Sequence, residues 1–141
     1  MAASIAGISS HGIGSALIFM LIGVVITFVL QSSSVTVVLT MVLVYFGWIS
    51  FPMAAAMVLG ENIGTTIGAN LVASRAGVQA SRAALAHFIF NVLGAAFVLI
   101  FFNMFIKINL WLVSLFGLDA QMTSVFGVAC VHTLFNVTAT V

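Results

Sequence analysis

Charge is what this sequence has least of. Only 4% of its 141 residues are Asp, Glu, Lys or Arg, against roughly a quarter in an ordinary soluble domain, so no water-facing surface can be built from it. The first charged side chain is Glu61, and nothing ahead of it would carry an ionised group into hydrocarbon. A formal net charge of +1 leaves no basic patch for nucleic acid and no acidic face for a cationic partner. Cysteine is almost missing as well. Cys130 stands alone, which excludes an internal disulfide and any CxxC redox or zinc pattern; it is expected to be a buried core thiol. No HExxH or paired-histidine spacing occurs, so a catalytic metal is not expected. The opening residues, Met1 to Ser10, lack the positive n-region of a secretory signal, and no cleaved targeting segment is expected there.

What is present is apolar: 64% of the residues are hydrophobic, and a chain of this length holds at most about four or five bilayer spans. Gly12 to Leu30 is a nearly continuous apolar run that stops at Gln31, Ser32, Ser33 and Ser34. Val35 to Ile49 reads as a short or half helix, ended by Gly47, Ser50 and Pro52, the proline disfavouring helix at Phe51. From Met53 another apolar stretch begins, and the segment Gly60 to Asn70 is so polar and glycine-rich that a second broken or re-entrant element is expected. Arg75 and Arg82 bracket a connection and read as topology anchors. Ala83 to Ile106 is the clearest full span. Asn109 to Gly117, with Trp111 near Lys107, suits a membrane interface, and a last span begins near Met122 and is still running at Val141, as in a fragment or truncated gene. One pattern repeats: His87 and Asn91, like His132 and Asn136, sit in a His-x-x-Phe-Asn sequence, where each pair can hydrogen-bond on one helix face and hold helices together.

In hydrocarbon every backbone amide and carbonyl needs a partner, so a helix break at membrane depth survives only inside protein or beside a wet cavity. Freed amides at a half-helix N-terminus attract anions, and freed carbonyls at a C-terminus, helped by hydroxyls, coordinate sodium. Ser32, Ser33 and Ser34 supply hydroxyls, and Gln31 supplies both an oxygen and donors. Isolated serines usually just bond to a preceding carbonyl; it is the clustering that points to a site. Gly60, Gly64 and Gly68 form one smooth helix face suited to close packing. Asn62, Thr65 and Thr66 add neutral ligands among them. Glu61 and Asn70 are further candidates, Glu61 as a sodium ligand, a proton carrier or an interfacial residue.

The QSSS quartet and the Gly60-Glu61-Asn62-Ile63-Gly64-Thr65-Thr66 segment, followed by Ala84 to His87 and Phe90-Asn91, resemble the sodium/phosphate cotransporter family, both its bacterial members and the animal type II cotransporters. The resemblance implies two inverted repeats, each with a QSSS break and an Asn-Ile-Gly-Thr break. It places Gln31 to Ser34 with Asn62, Thr65 and Thr66 where that family binds sodium and phosphate. Glu61 and His132 to Asn136 are more similar to the second repeat.

The expected molecule is therefore an all-α integral membrane protein, with residues 1–141 forming a single transmembrane repeat unit that contains broken or re-entrant helices. The expected function is sodium-coupled secondary transport of inorganic phosphate across the cell membrane, in a multi-pass protein with no cofactor beyond the coupling sodium ion. A second inverted repeat would come from another chain, a missing half or an antiparallel homodimer. Two other readings compete with it: a non-transporting membrane assembly subunit that packs through the glycine face, and an intramembrane hydrolase using a serine with His87, for which no nucleophile motif or convincing orienting acid is present.

Overall fold

A computed structural model describes residues 12–140; the segment read for a targeting signal, Met1 to Ser10, lies outside them. Among the described residues there are helices and no strand: α1 (Gly12–Leu30), α2 (Ser33–Tyr45), α3 (Phe51–Ala73), α4 (Val78–Ile100), α5 (Phe102–Ser114) and α6 (Ala120–Thr140).

The helix boundaries follow local chemistry. Gln31 takes a left-handed backbone (φ 54°) and ends α1; Ser32, extended, caps α2 by accepting a hydrogen bond from the Val35 amide at 3.4 Å. Helix does begin at Phe51, contrary to the expectation from Pro52. The proline occupies the first turn, where a missing N–H removes no intrahelical bond. The span expected over Ala83 to Ile106 is divided: α4 starts earlier, at Val78, and the chain bends at Phe101 (φ −103°, ψ 27°) before α5.

The central element is α3, buried without interruption from Met53 to Asn62. The segment Gly60 to Asn70, expected to be broken, runs through it as continuous α-helix. Its glycines face α1, where a Cβ on Gly60 would collide with the Met20 carbonyl and one on Gly64 would come within 2.6 Å of the Val24 carbonyl oxygen. Its polar side chains bond within the helix, Thr65 Oγ1 to the Glu61 carbonyl at 3.0 Å and Thr66 Oγ1 to the Ile63 carbonyl at 2.7 Å, so no break is required to satisfy them.

These contacts fix direction. Met20 meets Gly60, Val24 meets Gly64 and Gln31 meets Gly68, so α1 and α3 run parallel. Between them α2 returns the chain, with Thr40 beside Glu61. Asn70 Nδ2 donates to the Ala84 carbonyl (2.9 Å) and Ser81 Oγ to the Ala73 carbonyl (3.0 Å), which makes α4 antiparallel to α3. Phe51 against Gly127 and Asn62 against Asn136 make α6 parallel to it. Since α4 ends and α6 begins at the Phe51 end of the bundle, α5 makes no net crossing between them. Buried Asn109 ties α5 to α6: with its amide nitrogen toward the Gly127 carbonyl (3.2 Å), its oxygen accepts from the Val131 amide (2.9 Å).

The outer faces are apolar. Val29, Val72, Ile100 and Phe116 are each more than two-thirds exposed while Glu61 is fully enclosed, the reverse of a soluble protein. Among the described residues one helix, α4, is both long and apolar enough to cross a bilayer.

Candidate functional site: a polar seam around the first turn

The Gln31–Ser32 turn joins the C-terminus of α1 to the N-terminus of α2, as the sequence predicts. The Gln31 side chain donates to the Phe28 carbonyl and lies on Gly68 of α3, whose missing side chain makes room for it. Gly68 precedes the last residue of α3 by five positions, so the turn is set about 8 Å in from the end of that helix. At thirteen residues, α2 is about 20 Å long and falls short of the ~30 Å hydrocarbon core. Ser33 and Ser34 contribute the first amides of α2, which have no acceptor inside the helix.

From the turn a line of oxygens runs down the α2–α3 contact. Thr36 Oγ1 donates to the Ser32 carbonyl at 3.0 Å, and Thr40 Oγ1 donates to Glu61 Oε1 at 2.7 Å. Thr36, Thr40, Glu61 and Thr66 are buried, as is Thr27 on α1. Among the described residues two enclosed side-chain atoms have no hydrogen-bond partner, Thr27 Oγ1 and Glu61 Oε2. Asn62 donates to the Val58 carbonyl at 3.0 Å and accepts from Asn136 Nδ2 at 3.1 Å, which brings α6 to the seam.

The predicted residues divide. Asn62, Thr66 and Glu61 are buried; Gln31, Ser34 and Thr65 are exposed; Ser32, Ser33 and Asn70 are intermediate. Asn70 links α3 to α4 and stands apart from the turn in its bonding. The repeated His-x-x-Phe-Asn pattern has a common geometry, in which Asn91 and Asn136 each donate to the backbone carbonyl of the histidine four residues earlier, at 3.0 and 2.7 Å; the imidazoles play no part in those bonds. Asn136 also joins two helices, as expected. Cys130 is half-buried in the wall of an apolar groove between α5 and α6, and is not a core thiol.

Three seam residues escaped the sequence reading: Thr27, Thr36 and Thr40. Ser32, Thr36 and Thr40 recur at intervals of four, a signal for one helix face that single hydroxyls in an apolar run make easy to overlook.

A model described as Na+/Pi-cotransporter matches residues 3–132. The chain belongs to that family. Its place in a family of cotransporters puts it in a membrane, in agreement with its apolar exterior. It is 45% identical over 82 residues to the Bacillus subtilis protein YqeW, covering 58% of this chain and 27% of that protein. It is 36% identical over 91 residues to the putative inorganic phosphate export protein YjbB of Escherichia coli, covering 64% of this chain and 17% of that one. To the sodium-dependent phosphate transport protein 2A of Rattus norvegicus it is 43% identical over 79 residues, covering 53% and 12%. The chain thus aligns with about a quarter or less of the length of these relatives. No solved structure matches it.

Proposed function

We propose that this chain is one repeat unit of a multi-pass sodium-coupled phosphate transporter. The observation that carries the reading is the family match over residues 3–132, which spans both the QSSS turn and the Gly60 to Asn70 segment. In this reading phosphate docks on the first amides of α2 and the hydroxyls of Ser32, Ser33 and Ser34, because a helix N-terminus favours an anion. Sodium takes the carbonyls at the end of α1 with the Gln31 oxygen, and Asn62, Thr65 and Thr66 line the α3 side. Sodium bound beside the turn favours anion binding there, and that differential affinity shifts the access equilibrium.

The exposure of Gln31, Ser34 and Thr65 supports a site that a second, inverted repeat completes, whether from another chain, another part of a longer protein or an antiparallel copy. The rival reading, an assembly subunit that uses the glycine face, has less support because α1 of the same chain already occupies that face.

The test is radiolabelled phosphate uptake into proteoliposomes holding this chain, with a sodium or a potassium gradient in either direction. Sodium-dependent uptake that disappears when Gln31, Ser32, Ser33 and Ser34 are all changed to alanine is the expected result. Equal flux with potassium rejects sodium coupling. Absence of flux in well-inserted protein rejects self-completion by a second copy, and flux that returns on adding the remaining repeat identifies the missing half. The direction of the productive gradient separates uptake from the export named for the Escherichia coli relative.

A further inference from the structure

We propose that Glu61 is a proton-exchange site within the bundle, distinct from the Gln31–Ser34 turn: it is held as the neutral carboxylic acid while α2 is packed over it on the α1–α3 pair, and gives its proton to water when α2 moves away. The inference rests on the membrane placement of the chain and not on the assignment of phosphate or sodium.

Glu61 is completely enclosed. Thr40 donates the one hydrogen bond that its carboxyl receives, to Oε1, and Oε2 has no partner. An ionised carboxylate in such a place needs a cation or several donors, and leaving it bare is costly. Among the described residues no candidate cation faces it. Along its described length α1 carries no titratable group, and α2 carries only Tyr45, exposed, at its far end. On α4, Arg82 and His87 are exposed; on α6, Cys130 and His132 are half-buried one to two turns before Asn136. Arg75 and Lys107 are exposed, at the end of α3 and on α5, and Asp119, the other acid, is exposed in the α5–α6 connection.

A bound metal cation is the competing way to neutralise the carboxylate, and the packing opposes it. A dehydrated sodium ion needs several oxygens arranged around it, yet α1 lies so close that a methyl group fits at neither Gly23, beside the Met57 carbonyl and the Glu61 amide, nor Gly60, beside the Met20 carbonyl. A proton needs no such space. Thr27, whose enclosed hydroxyl also has no partner, lies on the α1 face that meets Gly64, one turn along α3 from Glu61. Two enclosed polar groups without partners, one turn apart along α3, are groups that water admitted by a movement of α2 would satisfy.

Because the sequence has only two acidic side chains, infrared difference spectroscopy can assign the carboxyl directly. The chain in lipid nanodiscs is titrated across neutral pH, in potassium and in sodium buffer, as wild type, Glu61→Gln and Asp119→Asn. We expect a protonated-carboxyl C=O band at neutral pH that is kept in Asp119→Asn, lost in Glu61→Gln and unchanged by sodium. If Glu61→Gln does not fold, Asp119→Asn decides alone, since Glu61 is then the sole side-chain carboxyl. Absence of the band in folded protein at neutral pH overturns the proposal; discharge of the band by sodium overturns it in favour of a sodium ligand. Neither readout depends on phosphate flux, so failure of the transporter reading and failure of this one are told apart.

Discussion

Gln31 is a non-glycine residue in the left-handed region, a conformation that is strained for most side chains and free for glycine. Its retention there is explained by what the side chain does, bonding the Phe28 carbonyl and resting on Gly68. Gln31→Gly is therefore expected to keep thermal stability within about 1 kcal/mol of the wild type while abolishing sodium-dependent flux, a separation that unfolding curves and proteoliposome uptake measure independently. The Asn62–Asn136 pair makes the opposite case, since its bond is a tie between helices. Single alanine variants at either position are expected to lose about 1 kcal/mol, and the double variant less than the sum, in reversible unfolding from mixed micelles. Additive losses would mean that the bond contributes nothing. The quartet Gln31 to Ser34 was legible in the sequence because four consecutive polar residues interrupt an apolar run. Thr27, Thr36 and Thr40 were not, since a lone threonine in such a run looks the same whether it caps a carbonyl or lines a seam.

At the scale of elements, the sequence pattern located one break correctly and proposed another that the fold does not have. Composition cannot distinguish a glycine-rich break from a glycine-rich contact face; the difference lies in whether another helix arrives to fill the gap, and here α1 does. That contact makes a prediction of its own. Gly60→Ala places a methyl group on the Met20 carbonyl and should cost about 1–3 kcal/mol through overpacking. Gly14→Ala, where an added Cβ meets nothing within 4 Å, should be neutral or stabilising by up to about 1 kcal/mol. Equal melting temperatures for the two variants would contradict the parallel α1–α3 seam. The boundary between α4 and α5 was illegible for a related reason: Ala83 to Ile106 is uniformly apolar, and the bend at Phe101 leaves no trace in hydropathy.

For the whole molecule, direction follows from the register of contacts. The α2–α3 connection and the α5–α6 connection lie at one end of the bundle, and the α3–α4 connection lies at the other. In a Cys130→Ser background, membrane-impermeant maleimide should label Trp48→Cys and Phe116→Cys from the same side of the bilayer and Ala76→Cys from the opposite side. Labelling of all three from one side would rule out a multi-pass arrangement. The membrane class of the protein was plain from the scarcity of charge, whereas the parallel course of α1 and α3 depends on which glycine meets which carbonyl and has no one-dimensional signature.

The backbone-to-backbone seam also limits how this unit can move. Where carbonyls sit in glycine notches, as at Gly23, Gly60 and Gly64, two helices can neither slide past one another nor rotate without a carbonyl striking a neighbouring turn. They behave mechanically as a single beam. The short α2 is joined to that beam by the Gln31–Ser32 corner at one end and the glycine-containing link after Tyr45 at the other, so that a rocking of α2 is a motion that leaves the α1–α3 contact intact.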